Sequence, residues 1–176
     1  MERILIVNAD DFGLTRGVNA AVRECAANGV LRSATIMANG SAFEHAVQTA
    51  GNIEDFGVGI HFVLTRFQPV CDAARIPELV EDSGSLPSGP LELLKALYSG
   101  RGAREAVRKE LLAQTEKVFD SGIVPTHFDS HKHVHIIPAV FDAMAEIANR
   151  YSVKWVRDPY ENTGSFKFLF DVERGT

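Results

Sequence analysis

Short apolar runs alternate with stretches of helical periodicity five times along this chain, and this alternation strongly limits the folds open to it. The apolar runs predict strands at residues 4–7, 33–37, 57–62, 126–130 and 153–156. A repeated strand–helix–strand order requires parallel strands joined by helical crossovers. We therefore predict an α/β fold, specifically an incomplete or distorted (β/α) barrel with parallel strands.

The stretches between the strands carry apolar residues at the spacing of one helical face. In the first, Thr15 is the predicted N-cap, and Cys25 falls on the apolar stripe, so we expect it in the core. In the last, Pro138 fits the first turn and Phe141 belongs to the predicted buried stripe. Residues 65–90 hold four prolines and predict a long irregular excursion, which is typical of a binding loop or lid.

Size and charge exclude several classes of protein. A length of 176 residues suits one domain covering residues 1–176. The net charge of −5 argues against a nucleic-acid surface, and the cations of residues 104–109 alternate with Glu105 and Glu110 as on a solvated helix face. The first apolar run is too short for a signal peptide, and no run is long enough to span a membrane. With two cysteines and no disulfide framework, we expect a cytoplasmic protein.

Polar residues follow the predicted strands, where the active sites of (β/α) barrels are built. They are Asp10, Asp11, Asn39, His61, Asp129, His131 and Arg157. The run 125–135 adds further histidines, so that His127, His131, His133, His135 and Asp129 share one parity. In extended chain, such residues point to one face. Imidazole and carboxylate are common ligands of Zn²⁺ and related ions, so this pattern indicates a metal site.

The rim residues favour hydrolysis. Asp11 and two histidines leave a coordination position open, as in catalytic metal sites. The adjacent Asp10 is then placed to act as a general base. Spacing alone does not choose among His127, His131 and His133 as metal ligands. It also does not choose among an amide, an ester and a phosphate as the substrate.

Three motifs resemble those of the YdjC-like carbohydrate deacetylases, most closely the chitooligosaccharide deacetylase branch. They are residues 8–13 (NADDFG), 59–62 (GIHF) and 126–135 (THFDSHKHVH). The resemblance implies a distorted (β/α) barrel that removes acetyl groups from N-acetylated sugars such as chito-oligosaccharides. It also implies one divalent ion, Mg²⁺ or Zn²⁺, held by Asp11, His61 and His131, with Asp10 activating the attacking water.

Four further residues are predicted to bind substrate: Asn39, Asp129, His133 and Arg157. Each has a structural alternative. Asp129 could orient a ligating histidine, Asn39 could be a turn residue, and Arg157 could pair with Asp158. His133, like His135, could support the following helix instead of lining a sugar pocket.

The family's chains also carry a later Cys-His-Pro segment whose histidine is assigned to protonating the leaving amine, and this sequence has none. We therefore expect the chain to lack the family's C-terminal part, as a fragment, as a truncated product, or as half of an assembly that another chain or a homo-oligomer completes. One alternative is a metal- or sugar-binding remnant without turnover. Others are an amidohydrolase or phosphoesterase, suggested by residues 133–135, and a non-haem iron oxygenase, suggested by His127 and Asp129.

Overall fold

The computed structural model describes residues 5–100 and 102–159. Five strands form one wholly parallel sheet in the order in which they occur along the chain. They are β1 (Asn8–Phe12), β2 (Ser33–Ile36), β3 (Gly57–Phe62), β4 (His127–Ser130) and β5 (Trp155–Val156). The predicted α/β fold is confirmed. Sequential parallel order is that of a (β/α) barrel wall, and within the described residues this wall is open between β1 and β5.

Each crossover between the described strands contains at least one helix. These helices are α1 (Arg16–Asn28), α2 (Phe43–Ala50), α3 (Pro90–Ser99), α4 (Ala103–Asp120) and α5 (Pro138–Tyr151). The Thr15 side chain caps α1 by accepting a hydrogen bond from the Val18 N–H at 3.2 Å. The helices bury apolar residues against the sheet, where Phe12, Ile60, Phe62 and Phe128 are fully buried.

The first strand lies further along the chain than predicted. Residues 5–7 are not in the sheet, and Leu5 and Ile6 are 84% and 80% exposed. Pairing between the first two strands begins at Asn8 opposite Ser33, so residues 5–7 have no β2 partner. The prediction of a buried strand at residues 4–7 was therefore wrong for 5–7, and residue 4 lies outside the described residues. Asp10 and Asp11 thus lie within β1 instead of after it.

Two predicted core residues lie at the surface. Cys25 is exposed, and Phe141 is 47% exposed. The buried faces overlap the predicted stripes only in part. The α1 helix buries Asn19, Val22 and Ala26, and α5 buries Val140, Ala143, Met144, Ile147 and Ala148. Glu110, predicted on a solvated face, is fully buried. Periodicity located these helices but misjudged how wide their buried faces are.

The histidine-rich run does not continue as extended chain. After β4 the chain enters a 3-10 segment, His131–Ile136, in which Lys132 and His133 have positive φ of 57° and 52°. The shared parity of the histidines therefore does not bring them to one face. His127 and Asp129 lie on the strand, whereas His133 and His135 follow the turn. The predicted convergence was wrong beyond His131.

No helix within residues 5–100 and 102–159 is long and apolar enough to cross a membrane. The tail from residue 160 onward, for which we predicted neither a clear helix nor a sixth βα unit, lies outside the described residues.

The loop after β2 touches the loop after β1 at Gly40. A Cβ built on Gly40 would lie 2.2 Å from the carbonyl oxygen of Gly13, which is a rigid backbone atom. We expect Gly40→Ala to lower the free energy of unfolding by about 3 kcal/mol, since the loops must separate. Gly100→Ala is the control, because no atom of the other described residues lies within 4 Å of a Cβ built there. Chemical denaturation measures both, and equal stabilities would contradict this close approach.

Candidate metal centre at the strand ends

A bulge near the end of β1 separates the two neighbouring aspartates. Between the pairs Ala9–Ala34 and Phe12–Ile36, β1 advances three residues while β2 advances two. Asp11 has a φ of 59°, in the left-handed region. The turn that follows is held by Asn19, a fully buried residue of α1 whose Oδ1 accepts from the Gly13 N–H at 2.8 Å. The bulge lets the two carboxylates serve different neighbours.

Asp11 lies between two imidazoles from two other elements. Its Oδ1 is 3.2 Å from His61 Nε2, at the end of β3, and 3.0 Å from His131 Nδ1, just after β4. Ligand atoms of the three residues all lie within 4.8 Å of one another. Bonds of about 2.0–2.2 Å place tetrahedral ligands about 3.3 Å apart. The three side chains therefore fit around one small divalent ion, with a position left for water or substrate.

Asp129 of β4 fixes the orientation of His61. The His61 Nδ1–H donates to Asp129 Oδ1 at 2.6 Å, and both side chains are almost fully buried. Thr35 of β2 donates from Oγ1 to the other carboxylate oxygen at 3.1 Å. With Nδ1 held in this way, His61 directs Nε2 at Asp11. This carboxylate–imidazole arrangement is the usual support of a metal-ligating histidine.

The charges of these groups stabilise one another. Hydrogen bonds from His131 and His61 hold the pKa of Asp11 far below its ordinary value. Burial lowers the pKa of His61, but the hydrogen bonds with Asp11 and Asp129 outweigh it and raise that pKa from 6.5 to about 9. In the metal-free protein at neutral pH, His61 is therefore an imidazolium between two carboxylates. The site is arranged to hold a positive charge.

Asp10 forms an ion pair with an arginine. Arg157, directly after β5, donates from Nη1 to both Asp10 oxygens at 2.9 Å and lies 3.4 Å from Asp129 Oδ2. The Asn8 amide donates to Asp10 Oδ1 at 3.0 Å. Asp10, His61 and Asp129 also lie close enough to share an ion, but the guanidinium already neutralises that pair of carboxylates. The cluster of Asp11, His61 and His131 is the better cation site.

The remaining histidines of the run are not part of the convergent group Asp11, His61 and His131. His127 lies 3.1 Å from Asn8 Oδ1, and Gly59 makes room for its ring, because a Cβ on Gly59 would lie 2.7 Å from Cε1. His135 is buried, and its Nε2 contacts the Arg157 carbonyl at 3.0 Å. The ring of His133 lies 6.2 Å from that of His135. Burial lowers the pKa of all three, so they are neutral near pH 7.

Two residues predicted to bind substrate are engaged within the protein. Asp129 is 1% exposed, and its contacts are with His61, Thr35 and Arg157. The Asn39 amide donates to the Gln68 carbonyl at 2.8 Å and to Glu110 Oε1 at 3.2 Å. These contacts are those of residues that position others. Arg157 contacts the carboxylates of Asp10 and Asp129, whereas the structural alternative predicted for it was an ion pair with Asp158.

Sequence reasoning missed the residues that support the site. Thr35 and Asn19 lie in or beside apolar runs and belong to none of the three motifs, and Asn8 begins the first motif but was assigned no role. A usable signal existed for Thr35, since it sits in the middle of an apolar strand, and a buried hydroxyl needs a partner. For Glu110 the sequence was misleading, because its charged neighbours predicted a solvent-exposed position.

The pKa of His61 predicts how the metal-free protein responds to alkaline pH. The pKa of His61 is higher in the folded chain than in the unfolded chain, so protonation of His61 stabilises the fold. This stabilisation is complete below pH 6.5 and is lost as the pH rises towards 9. We expect the free energy of unfolding to fall by an amount on the order of 3 kcal/mol across this window. Urea denaturation at pH 6.5 and 9, after treatment with chelator, measures it. Unchanged stability would show that His61 is not charged between its carboxylates.

A parallel (β/α) sheet with an Asp–His–His cluster at the carboxyl ends of its strands is the architecture of a class of open-site metalloproteins. The family model described as "YdjC-like protein" matches residues 4–172. The chain belongs to the YdjC-like family, and the resemblance seen in its motifs is confirmed.

Named relatives agree with this membership. The chain is 46% identical over 151 residues to a carbohydrate deacetylase of Geobacillus stearothermophilus, covering 86% of this chain and 58% of that protein. It is 40% identical over 154 residues to a chitooligosaccharide deacetylase of Enterobacter sp. (strain 638), covering 87% and 58%. This chain therefore spans somewhat over half the length of these relatives.

A solved structure shares the fold. It is the crystal structure of a protein from Enterococcus faecalis V583, named as a candidate cellobiose-phosphate cleavage protein. The TM-score is 0.78 at 26% sequence identity, and the match covers 93% of this chain and 62% of that one.

Proposed function

We propose that this chain carries the metal-binding half of a hydrolase that removes N-acetyl groups from amino sugars such as chito-oligosaccharides. The observation that carries the proposal is the pairing of Asp11, His61 and His131 with a separate carboxylate, Asp10, across the bulge of β1. The names of the relatives, carbohydrate deacetylase and chitooligosaccharide deacetylase, support the choice of substrate.

Asp11, His61 and His131 would hold the ion. Their donor atoms, one carboxylate oxygen and two imidazole nitrogens, are those favoured by Zn²⁺ and tolerated by other divalent ions, so Mg²⁺ and Zn²⁺ both belong to the proposal. When bound, the ion supplies polarisation of the acetyl carbonyl and a lowered pKa for a bound water.

Asp10 then accepts the proton of the attacking water. A carboxylate can accept this proton, and the two hydrogen bonds from Arg157 fix its orientation. The same Arg157 guanidinium also contacts Asp129 Oδ2 at 3.4 Å, so it bridges Asp10 and Asp129. Asp129 holds His61 and is proposed to act through it.

We propose the domain organisation and the substrate on the same basis. Residues 1–176 are proposed to be one (β/α) domain, and an N-acetylated oligosaccharide is the proposed substrate. Asn39 and His133 stay predictions as substrate contacts. The phosphoesterase alternative gains no support, because His135 is committed to Ser130 and to the Arg157 carbonyl.

Acetate release tests the proposal. Purified protein is stripped with chelator and incubated with N-acetylated chito-oligosaccharides while Mg²⁺, Zn²⁺ and Mn²⁺ are added in turn. We expect acetate only when an ion is present, and no phosphate release from a phosphate monoester under the same conditions. Phosphate release without acetate would reject the deacetylase reading. Metal binding without either product would identify a binding remnant.

A further inference from the structure

We propose that Phe67 is the residue on which a ring of the bound sugar stacks, and that Glu110 holds Phe67 in place at the rim of the metal centre. This inference rests on the proposed function, because it names the surface that recognises the sugar. It concerns two residues outside the three motifs, in the long excursion after β3 and on α4.

Phe67 is the aromatic residue of the excursion that reaches the metal centre. Its ring centroid lies 6.0 Å from that of His131, and the two rings are nearly perpendicular at 89°. His131 in turn contacts Asp11 at 3.0 Å. The Phe67 side chain is only half-buried, so part of it is open to solvent beside the cluster.

A sugar needs such a surface. The described groups around the metal centre are carboxylates, imidazoles and a guanidinium, which can bind hydroxyl and carbonyl oxygens. One face of a pyranose ring, however, presents C–H groups. Burial of these groups is favourable only when they pack against an apolar surface. Aromatic side chains offer a large, flat surface of this kind with little conformational freedom to lose.

The backbone around Phe67 is fixed by local hydrogen bonds. The Phe67 carbonyl accepts from the Leu86 N–H at 2.9 Å, and the Arg66 N–H donates to the Pro87 carbonyl at 2.8 Å. Thus the two ends of the excursion pair with each other next to the metal centre. A ring held in this way before the sugar binds loses less entropy on binding.

Glu110 ties this pairing to the body of the domain. Its fully buried carboxylate accepts from the N–H groups of Val70 at 3.0 Å and Cys71 at 2.8 Å. Asn39 Nδ2 bridges Glu110 Oε1 and the Gln68 carbonyl, one residue from Phe67. A buried carboxylate is costly unless it is fully hydrogen-bonded. Gln114 of α4 also donates to Glu110 Oε1 at 2.8 Å, but two of the bonds come from backbone N–H groups of the segment that carries Phe67, so Glu110 is a positioning residue for it.

Sugar binding by the metal-loaded protein tests the proposal without relying on turnover. Titration calorimetry with N-acetylated chito-oligosaccharide is compared for the unchanged chain, Phe67→Ala and Phe67→Tyr. We expect Phe67→Ala to weaken binding about ten-fold, and Phe67→Tyr to retain it, because tyrosine offers the same ring. Phe141→Ala removes a half-exposed ring on α5 and is the matched control.

Glu110→Gln separates positioning from general stability. We expect weaker sugar binding with an unchanged stoichiometry of bound Zn²⁺, whereas a merely structural role would lower the melting temperature and leave the sugar affinity as it was. Equal sugar affinity in Phe67→Ala and the unchanged chain overturns the inference, while the proposed function stands if acetate is released. If the unchanged chain binds metal but no sugar, the proposed function and this inference both fail.

Discussion

Replacing Asp10 with asparagine is expected to lower the rate of acetate release by about 10²–10⁴-fold, because the amide cannot accept the proton of the attacking water. Asparagine keeps the shape of the side chain and can still accept one hydrogen bond from Arg157. Among the described interactions, the Asp10 side chain forms no hydrogen bond or ion pair with Asp11 or His131, so metal binding by the Asp11 cluster should be unaffected. Initial rates and metal stoichiometry are measured on the same samples.

Asp120→Asn is the matched control for this substitution. Asp120 is an exposed carboxylate at the end of α4, so the same chemical change should leave the rate unaltered. If Asp10→Asn released acetate as fast as the control, Asp10 would not be the general base. If the Asp10→Asn variant lost its metal, Asp10 would be a ligand, and the assignment of proton transfer to Asp10 and of metal binding to Asp11 would be incorrect.

The second large effect is expected at Asp129. Asp129→Asn removes the negative charge beside the buried His61, and loss of such supporting groups typically weakens metal binding 10–100-fold. Competition with a chromophoric chelator measures the affinity, and Asp120→Asn again serves as the control. The variant should also show a weaker dependence of stability on pH between 6.5 and 9, since one of the two carboxylates that raise the pKa of His61 is gone.

An affinity equal to that of the unchanged chain would show that Asp129 does not act through His61. Asp129→Ala is expected to be more severe still. It leaves His61 and Thr35 without their buried partner, and breaking a buried ion pair costs about 3–5 kcal/mol of stability. A stable Asp129→Ala protein with full metal affinity would contradict the account of this pair.

The strand–helix alternation predicted the fold because each element buries an apolar face with its own period. The same reasoning misplaced β1, since an apolar run such as residues 5–7 becomes a strand only where a neighbour can pair with it. It also placed Cys25 and Phe141 in the core. Which side of a helix packs on the sheet depends on tertiary contacts that the spacing of a few residues does not determine.

Asp10, Asp11, His61 and Arg157 could be placed together because parallel strands end at one edge. The histidine run was harder. Its parity argument needed extended chain, whereas Lys132 and His133 adopt left-handed conformations that turn the chain after His131. The supporting contacts of Thr35 with Asp129 and of Glu110 with Cys71 join residues that are distant in sequence. No local sequence pattern predicts a hydrogen bond such as the one from the Cys71 N–H to Glu110, 39 residues away.

The most direct test of the central claim is anomalous diffraction from a crystal of this chain grown with Zn²⁺. The account predicts one strong peak bounded by Asp11 Oδ1, His61 Nε2 and His131 Nδ1, with Asp10 still held by Arg157. A peak between Asp10 and Asp129, or one at His133 and His135 with none beside Asp11, would contradict it.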